Sequence, residues 1–275
     1  MCLLCLCGSK LNKIIAIKYT IWNIFSLSKN VRTEYSQFIM RKIFIYLVSF
    51  LLIMFFSIAE TKAKAKTKEI ETTKKSECHQ LYDEMQLEGV VDYTAFKCAY
   101  SGYDKINAKN KDIMTVIDFS KPSTEERFFV LDMYNKKLLY STYVSHGKKS
   151  GENYATSFSN KPGSHKSSPG FYITEDTYEG RNGYSLILNG LEKGINDRAR
   201  ERSIVVHGAA YCDSTLIESG RLGRSFGCPA LPLEISEAII DTIKGGTLLY
   251  IYANDKIYLS RSKHIKEKSL LLQSE

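Results

Sequence analysis

Residues 204–208 read IVVHG and residues 220–229 read GRLGRSFGCP, and these two stretches carry the strongest structural signal in the chain. The first is a β-branched run that ends in His207, a pattern that predicts a buried strand. The second is a glycine-bearing loop with Cys228 near its end, and a helical pattern follows from Pro232. The sequence therefore predicts a strand, a cysteine-bearing loop and a helix, in that order.

Short strands are predicted on both sides of this unit. Runs rich in aromatic and β-branched residues alternate with loops rich in Gly and Ser, and Asn135-Lys136 reads as a hairpin turn. The predicted strands are residues 113–119, 127–134, 137–145, 170–174, 184–188, 203–207, 247–253 and 257–259. One helix is predicted at 233–244, before a glycine pair. This pattern predicts a mainly β (α+β) fold, a sandwich or barrel-like sheet with a helix at one end.

The segment before the strands is predicted to be helical. Apolar residues recur near helical spacing between residues 78 and 111, and Asp92 is the predicted N-cap of a second helix. Residues 60–77 are polar and almost free of aromatics, so they read as a linker. The strands and the helix after the loop then form a catalytic domain over residues 112–260, and residues 261–275 form a tail.

The N-terminus reads as a secretory signal. An apolar run at residues 43–56 follows Met40 and two basic residues, and small residues follow the run, so a signal peptide is predicted at 40–59. An uncleaved membrane anchor is the alternative, although the run is shorter than the ~20 residues a spanning helix needs. If Met40 rather than Met1 is the start, residues 1–39 are an upstream extension.

Removal of this leader changes the charge and cysteine content. The leader holds seven of the 38 basic residues and one of the 30 acidic residues, so the remainder carries 31 basic and 29 acidic residues. A net charge of +2 offers no support for nucleic-acid binding. The mature chain keeps four cysteines, and in an oxidising compartment they could form two disulfides in three pairings. These cysteines are Cys78, Cys98, Cys212 and Cys228.

The His207 strand and the Cys228 loop together fit nucleophilic catalysis. A thiolate is the reactive form of cysteine, and a nearby imidazole or a helix N-terminus favours it. Glycines such as Gly227 let backbone N–H groups approach a reacting carbonyl, and the Gly208 carbonyl could orient the imidazole. Taken singly, the histidine reads as a core residue and Cys228 as a buried thiol or half-cystine, possibilities that include a Cys212–Cys228 redox lock.

No motif points to a metal or a cofactor. The sequence lacks an HExxH pattern, and the Gly- and Lys-containing stretch after His146 lacks the Walker pattern of a nucleotide site. His146 reads either as a wall of a substrate groove or as a structural hydrogen-bonding residue. His165 lies in a polar loop and is predicted to be solvated.

Longer motifs resemble the L,D-transpeptidase (YkuD-like) catalytic domain, over about residues 112–255. His207 followed after 18 residues by Ser225-Phe226-Gly227-Cys228 is similar to that family's His…Ser/Thr-His-Gly-Cys signature. The sequence also resembles the branch of murein L,D-transpeptidases whose motif ends in Gly-Cys-Pro-Ala-Leu. Further matching motifs are Ser145-His146-Gly147, Phe158-Ser159-Asn160, Ser168-Pro169-Gly170-Phe171-Tyr172 and Gly223-Arg224-Ser225 through Leu231.

The resemblance implies a peptidoglycan stem-peptide substrate and assigns roles to residues. Cys228 is the implied nucleophile, His207 the base, and Gly208 the carbonyl that orients it. The implied substrate-binding and oxyanion residues are Ser225, Phe226, Gly227 and Arg224. Two positions depart from the pattern: Phe226 replaces the signature histidine, and the arginine expected after the cysteine is missing. Arg224 or Arg221 is predicted to take the place of that arginine.

The implied reaction has several possible acceptors. Attack by Cys228 on a stem tetrapeptide forms a thioester, and the amine of a second stem then gives a 3→3 cross-link. Water as acceptor makes a carboxypeptidase, and a lipoprotein lysine makes an anchoring enzyme. A non-catalytic wall-binding module and a disulfide-stabilised structural domain are the other readings. The signal peptide places the mature protein, without a membrane span, in the periplasm or cell envelope.

Overall fold

The computed structural model describes residue 18, residues 40–50, residue 54 and residues 77–265. The chain divides into two compact units, Met1–Thr72 and Thr73–Glu275. In the first unit residues 40–50 are helical. Across the described ranges, no helix combines the length and the apolar character needed to cross a bilayer. The predicted upstream extension, linker and tail lie largely outside these ranges, and their boundaries stay predictions, as does the signal peptide.

Two helices open the second unit, as the sequence predicts. The first (α1) covers residues 77–84 and the second (α2) is Tyr93–Tyr103. Asp92 caps α2, because its side chain accepts a hydrogen bond from the Ala95 N–H at 3.0 Å and so satisfies a donor at the helix start. Apolar residues of both helices pack in one buried cluster with one face of the sheet.

Eight strands form one mixed sheet in the order β3-β2-β1-β8-β4-β5-β6-β7. The pairs β1/β8 and β6/β7 are parallel, and the other neighbours are antiparallel. The strands are β1 (Ile113–Asp118), β2 (Phe128–Asp132), β3 (Lys137–Thr142), β4 (Gly170–Gly180), β5 (Gly183–Gly190), β6 (Val205–Gly208), β7 (Ala230–Leu231) and β8 (Leu248–Tyr252).

The sheet nearly closes into a barrel through the segment that follows β3. Ser145 pairs with Ala230 of β7, and Gly147 forms a parallel bridge with Ser225. A second apolar cluster combines the other face of the sheet with helix α3 (Leu233–Ile243). Both faces of β1 are therefore covered, which explains why five of its six residues are buried despite the alternating sequence pattern. The mainly β (α+β), barrel-like fold is confirmed.

Three details differ from the predicted elements. Residues 257–259 were expected to form a strand, but they lie in a short helix, α4 (Lys256–Arg261), because Asp255 accepts hydrogen bonds from the N–H groups of Ile257 and Tyr258. Strand β7 was not predicted, because two residues are too few to show a strand pattern in the sequence. Strand β4 extends to Gly180, past the predicted end, because it pairs with β5 from Tyr172 to Gly180, with an irregularity between Thr174 and Thr177.

Candidate active site

Strands β6 and β7 bring the predicted nucleophile and base to one edge of the sheet. His207 of β6 pairs in parallel with Ala230 of β7. Cys228 precedes Ala230 by two residues and Val205 precedes His207 by two, so Cys228 comes beside Val205. The Val205 N–H donates to the Cys228 sulfur at 3.5 Å. Strand pairing thus places the 220–229 loop against the start of β6.

The Cys228 thiol is enclosed by backbone. The residue is 8% exposed, and its S–H donates to the Ser203 carbonyl with a sulfur-to-oxygen distance of 3.6 Å. Burial raises the pKa of the Cys228 thiol, whereas the Val205 N–H and the Arg202 charge lower that pKa. Burial is the largest of these effects, so the resting group is a thiol that must lose its proton before it can attack.

The His207 ring is held in one tautomer. Its Nδ1 lies 2.9 Å from the Gly208 carbonyl oxygen, so Nδ1 carries the hydrogen and Nε2 keeps a free lone pair. Burial lowers the pKa of His207, although the Gly208 carbonyl acts in the opposite direction. The imidazole is therefore neutral at pH 7 and can accept a proton. The predicted contact between Gly208 and His207 is present.

Among the described residues, no hydrogen bond joins the Cys228 thiol to the His207 imidazole. Within residues 77–265, the bonds of the Cys228 sulfur end at Val205 and Ser203. A hydrogen bond to His207 requires another orientation of the Cys228 side chain, since its S–H here points to the Ser203 carbonyl. Catalytic contacts often tighten only when substrate binds, so this geometry is compatible with proton transfer.

Ser225 shapes the loop rather than opening toward a ligand. Its hydroxyl donates to the Cys228 carbonyl at 2.6 Å and accepts from the Gly227 N–H at 3.0 Å. The Gly227 N–H, predicted for an oxyanion hole, is thus engaged inside the loop. Among residues 77–265, no acceptor is bonded to the Cys228 N–H. That amide is the loop donor best suited to a developing oxyanion.

Gly227 has a backbone conformation that favours glycine. Its φ is +130°, and a Cβ atom there would lie 2.8 Å from the Lys166 carbonyl oxygen and 3.0 Å from Ile204 Cδ1. Any side chain would push the loop away from the Lys166 backbone and the Ile204 side chain. Gly227 therefore allows the close approach that places Cys228 against β6.

Gly227→Ala is expected to lower turnover by about 10-fold to 100-fold, because a shift of about 1 Å in a reacting group costs that much. Gly220→Ala is the matched control, since Gly220 also has positive φ, +93°, but no atom lies within 4 Å of its added Cβ. Steady-state kinetics on both variants test this. Equal activity losses in the two variants would show that crowding at Gly227 is unimportant.

Phe226 stands where the family signature has histidine. It is 65% exposed, its ring centroid lies 4.7 Å from that of His165, and the Lys148 Nζ lies 4.2 Å above it. His165, expected to be solvated, is instead half-buried with its Nδ1 enclosed. Phe226 and Lys148 thus form an aromatic and cationic rim on the loop that carries Cys228.

Arg224 and Arg221 bind the neighbouring loop instead of the thiol. The Arg224 Nη1 donates to the Lys148 and Gly151 carbonyls and lies 2.6 Å from a Glu152 carboxylate oxygen. Arg221 bridges the other Glu152 oxygen at 3.0 Å. Both arginines therefore connect the 220–229 loop to residues 148–152, and their charges are paired there.

A buried Arg127–His146 pair lies behind that loop. Arg127 is fully buried and donates to the Val144 and Lys121 carbonyls and to His146 Nδ1 at 2.9 Å. Burial lowers the pKa of His146 to about 3, and Arg127 acts in the same direction, so the imidazole is neutral. Its Nε2 lies 3.3 Å from the Gly151 carbonyl. Of the two open readings, the contacts favour a structural hydrogen-bonding role for His146.

Sequence reasoning missed two arginines that matter here. Arg127 begins an apolar run and Arg202 stands two residues before the β6 run, and neither carries a motif. Both are recognised from their contacts, which join residues distant in sequence.

The four cysteines of the second unit are all thiols. Cys212 donates to the Ala230 carbonyl at 3.0 Å, so it fits the buried-thiol reading rather than a lock on Cys228. No three His, Cys, Asp or Glu side chains of the described residues converge as a metal-binding group.

A nearly closed mixed sheet, with a histidine on β6 and a cysteine in the loop before the next parallel strand, defines a class of β-rich domains with a cysteine–histidine site at the sheet edge. The family model of the L,D-transpeptidase catalytic domain matches residues 87–252. The chain belongs to this family. No curated protein sequence matches it.

Solved structures with a related fold include several L,D-transpeptidases. The enzyme from Mycobacterium smegmatis has 15% identity and a TM-score of 0.33, with 52% of this chain and 59% of that chain covered. The helical cell shape determining protein Pgp2 from Campylobacter jejuni has 14% identity and a TM-score of 0.39, with 64% of this chain and 59% of that chain covered. The enzyme from Stackebrandtia nassauensis has 14% identity and a TM-score of 0.32, with 64% of this chain and 76% of that chain covered. The chain thus spans less than two thirds of the first two proteins.

Proposed function

We propose that this protein is a cysteine-dependent L,D-transpeptidase that acts on peptidoglycan stem tetrapeptides. The observation that supports the proposal is the placement of Cys228 beside the start of β6, the strand that carries the neutral, Gly208-oriented imidazole of His207, in a chain of this family. A buried thiol and a base with a free Nε2 are the two groups that acyl transfer through a thioester requires.

The proposed reaction has two steps, acylation of Cys228 and transfer of the acyl group to an amine. His207 Nε2 takes the Cys228 proton while the sulfur attacks the carbonyl of the third stem residue. The bond to the fourth residue breaks, His207 returns the proton to the leaving amine, and D-alanine departs. A side-chain amine of a second stem then attacks the thioester, and the thiol is regenerated with a 3→3 cross-link.

The remaining site residues support this chemistry. The Cys228 N–H is placed to donate to the oxyanion of each tetrahedral intermediate. Ser225 and Gly227 hold the loop in the shape that presents this amide. Phe226 forms the exposed rim, and Arg224 connects the loop to residues 148–152. No metal or cofactor takes part in these steps.

Two sets of alternatives use the same site. Water or a lipoprotein lysine in place of the stem amine would make the protein a carboxypeptidase or an anchoring acyltransferase. A non-catalytic wall-binding module is favoured by one observation, the resting hydrogen bond of the thiol to Ser203 instead of His207. In each case the substrate is part of the cell wall, so the proposed location is the periplasm or cell envelope, reached through the predicted signal peptide.

The test is incubation of the purified protein with a disaccharide-tetrapeptide, followed by mass spectrometry of substrate and protein. We expect loss of D-alanine, a protein adduct with the mass of the disaccharide-tripeptide acyl group, and a cross-linked dimer. The ratio of dimer to free tripeptide separates transpeptidase from carboxypeptidase activity. Unchanged substrate and no adduct, with a folded protein, would favour the binding module.

A further inference from the structure

Arg202 lies in the turn before β6 and makes its hydrogen bonds to a single loop, residues 159–168. Its Nη1 donates to the Ser159 carbonyl at 2.8 Å and to the Ser168 hydroxyl at 2.6 Å. Its Nη2 donates to the Ser164 hydroxyl and to the Lys166 carbonyl. Four bonds to one loop fix both the guanidinium and the loop, since each bond uses a donor of the planar fork.

The Nη2 end of the guanidinium also lies against the 220–229 loop. A Cβ atom at Gly227 would lie 3.2 Å from the Arg202 Nη2. The Cys228 sulfur contacts the backbone of Ser203 and Val205, which follow Arg202 directly in the chain. The Gly227 carbonyl also accepts from the Ser167 hydroxyl at 3.2 Å. Arg202 is thus packed between loop 159–168 and the Gly227–Cys228 turn.

The charge of Arg202 has no carboxylate partner among residues 77–265. Its four hydrogen-bond acceptors are carbonyls and hydroxyls, which leave the positive charge in place. The ionisable groups that act on Arg202 are the Tyr172 hydroxyl, the Cys228 thiol and the Arg198 guanidinium. By contrast, the arginines of the 220–229 loop are paired with Glu152.

We propose that Arg202 is a positioning residue for the nucleophile: it braces loop 159–168 against the Gly227–Cys228 turn and holds an uncompensated positive charge beside the sulfur. It stabilises the thiolate that forms when Cys228 gives up its proton, and it does so without touching the reacting carbonyl. This inference rests on the nucleophilic role of Cys228 and takes over the task first expected of Arg224 or Arg221.

The electrostatic contributions agree with this arrangement. Arg202 lowers the pKa of the Cys228 thiol, and Cys228 in turn raises the pKa of Arg202, whereas burial moves both in the opposite direction. Tyr211, the other ionisable group that Cys228 influences, has its own pKa raised, mainly by burial, and stays neutral. Arg202 is therefore the cation whose charge counteracts the effect of burial on the pKa of the Cys228 thiol.

The experiment measures the rate of Cys228 alkylation by iodoacetamide between pH 6 and 10, located by peptide mass mapping. In Arg202→Gln we expect the apparent pKa of the Cys228 thiol to rise by about 1–3 units, the usual effect of removing an adjacent opposite charge. Alkylation at pH 7 then slows about tenfold or more. Arg202→Lys keeps the charge without the fork and is expected to shift the pKa less.

Arg198→Gln is the matched control, because Arg198 lies four residues away, is exposed and pairs with Glu201. We expect its alkylation profile to match the wild type. Circular dichroism establishes that each variant is folded, and Arg202→Lys provides the comparison if Arg202→Gln unfolds. A wild-type thiol pKa in folded Arg202→Gln, or the same pKa rise in Arg198→Gln as in Arg202→Gln, would overturn the inference. If only Arg202→Lys folds, a rise of the full ~1–3 units despite the retained charge would overturn it as well. Alkylation needs no peptidoglycan, so this result is independent of whether the protein turns over stem peptides.

Discussion

Cys228→Ala is expected to abolish D-alanine release, with a fall in kcat of about 10³-fold or more, because the proposed thioester forms on the Cys228 sulfur. Burial of the side chain beside Val205 makes alanine a good replacement, since it fills most of the same space and leaves the fold intact. The measurement is the rate of D-alanine release from a disaccharide-tetrapeptide by wild type and variant. The protein adduct should disappear together with turnover.

Cys212→Ser is the matched control for this prediction. Cys212 is also a buried thiol near β7, and a serine hydroxyl can keep its donation to the Ala230 carbonyl. We expect activity close to wild type. If Cys228→Ala still released D-alanine while Cys212→Ser did not, the nucleophile would be Cys212 and the proposed mechanism would be wrong.

Arg127→Ala is expected to lower the free energy of unfolding by about 3–5 kcal/mol, the usual cost of removing one member of a buried hydrogen-bonded charged network. The substitution leaves a cavity and removes the donor from the Val144 carbonyl, the Lys121 carbonyl and His146 Nδ1. Buried acceptors without a donor are costly because they have lost their water as well. Urea denaturation followed by circular dichroism measures the change.

Arg198→Ala serves as the control for Arg127. Its bidentate pair with Glu201 is exposed and screened by solvent, so we expect no measurable change in the free energy of unfolding. A loss of less than about 1 kcal/mol in Arg127→Ala would mean that water replaces the guanidinium, and the buried network would then not stabilise the fold.

The Arg127 network also connects stability to the site. Arg127 fixes the His146 ring, whose Nε2 meets the Gly151 carbonyl, and the His146 carbonyl accepts from the Ser225 N–H at 2.9 Å. Ser225 in turn holds the Cys228 carbonyl. A partly folded Arg127 variant should therefore lose activity as well as stability, because the loop of the nucleophile loses its support.

Much of the fold was predictable because its signals are local. The Asn135-Lys136 turn joins β2 and β3 as expected, and Lys136 has the positive φ, 55°, that tight hairpin turns use. Asp92 caps α2, and α3 begins after Pro232. Residues 257–259 show the limit of such signals, because a run of three apolar residues fits a strand or a helix equally well. Here the Asp255 N-cap stabilises the helix.

The candidate site residues came from the sequence motif and their catalytic roles stay predictions, whereas their contacts could not be predicted from the sequence. The motif alone pointed to Cys228 and His207, but the bond of the thiol to Ser203 depends on how β6 and the loop pack. Arg224 and Arg221 were predicted to take the place of the missing arginine, and the structure pairs both with Glu152. Arg202, by contrast, reaches the Gly227–Cys228 turn from a segment more than twenty residues earlier. Sequence distance is a poor guide there, since a parallel strand pair joins segments with a long connection between them.

The sequence by itself determined the β-rich class, the helical segment before it, the order of strand, loop and helix around residues 204–244, and the resemblance that the family match confirmed. Those features follow from periodicity and turn chemistry, which neighbouring residues set. Tertiary structure alone decided that the segment after β3 closes the sheet on β7, that Cys212 bonds Ala230 as a thiol, and that Arg202 stands beside Gly227. These depend on which strands pair and which charges remain unpaired once they do, and such non-local choices are fixed by burial and hydrogen bonding across the whole domain.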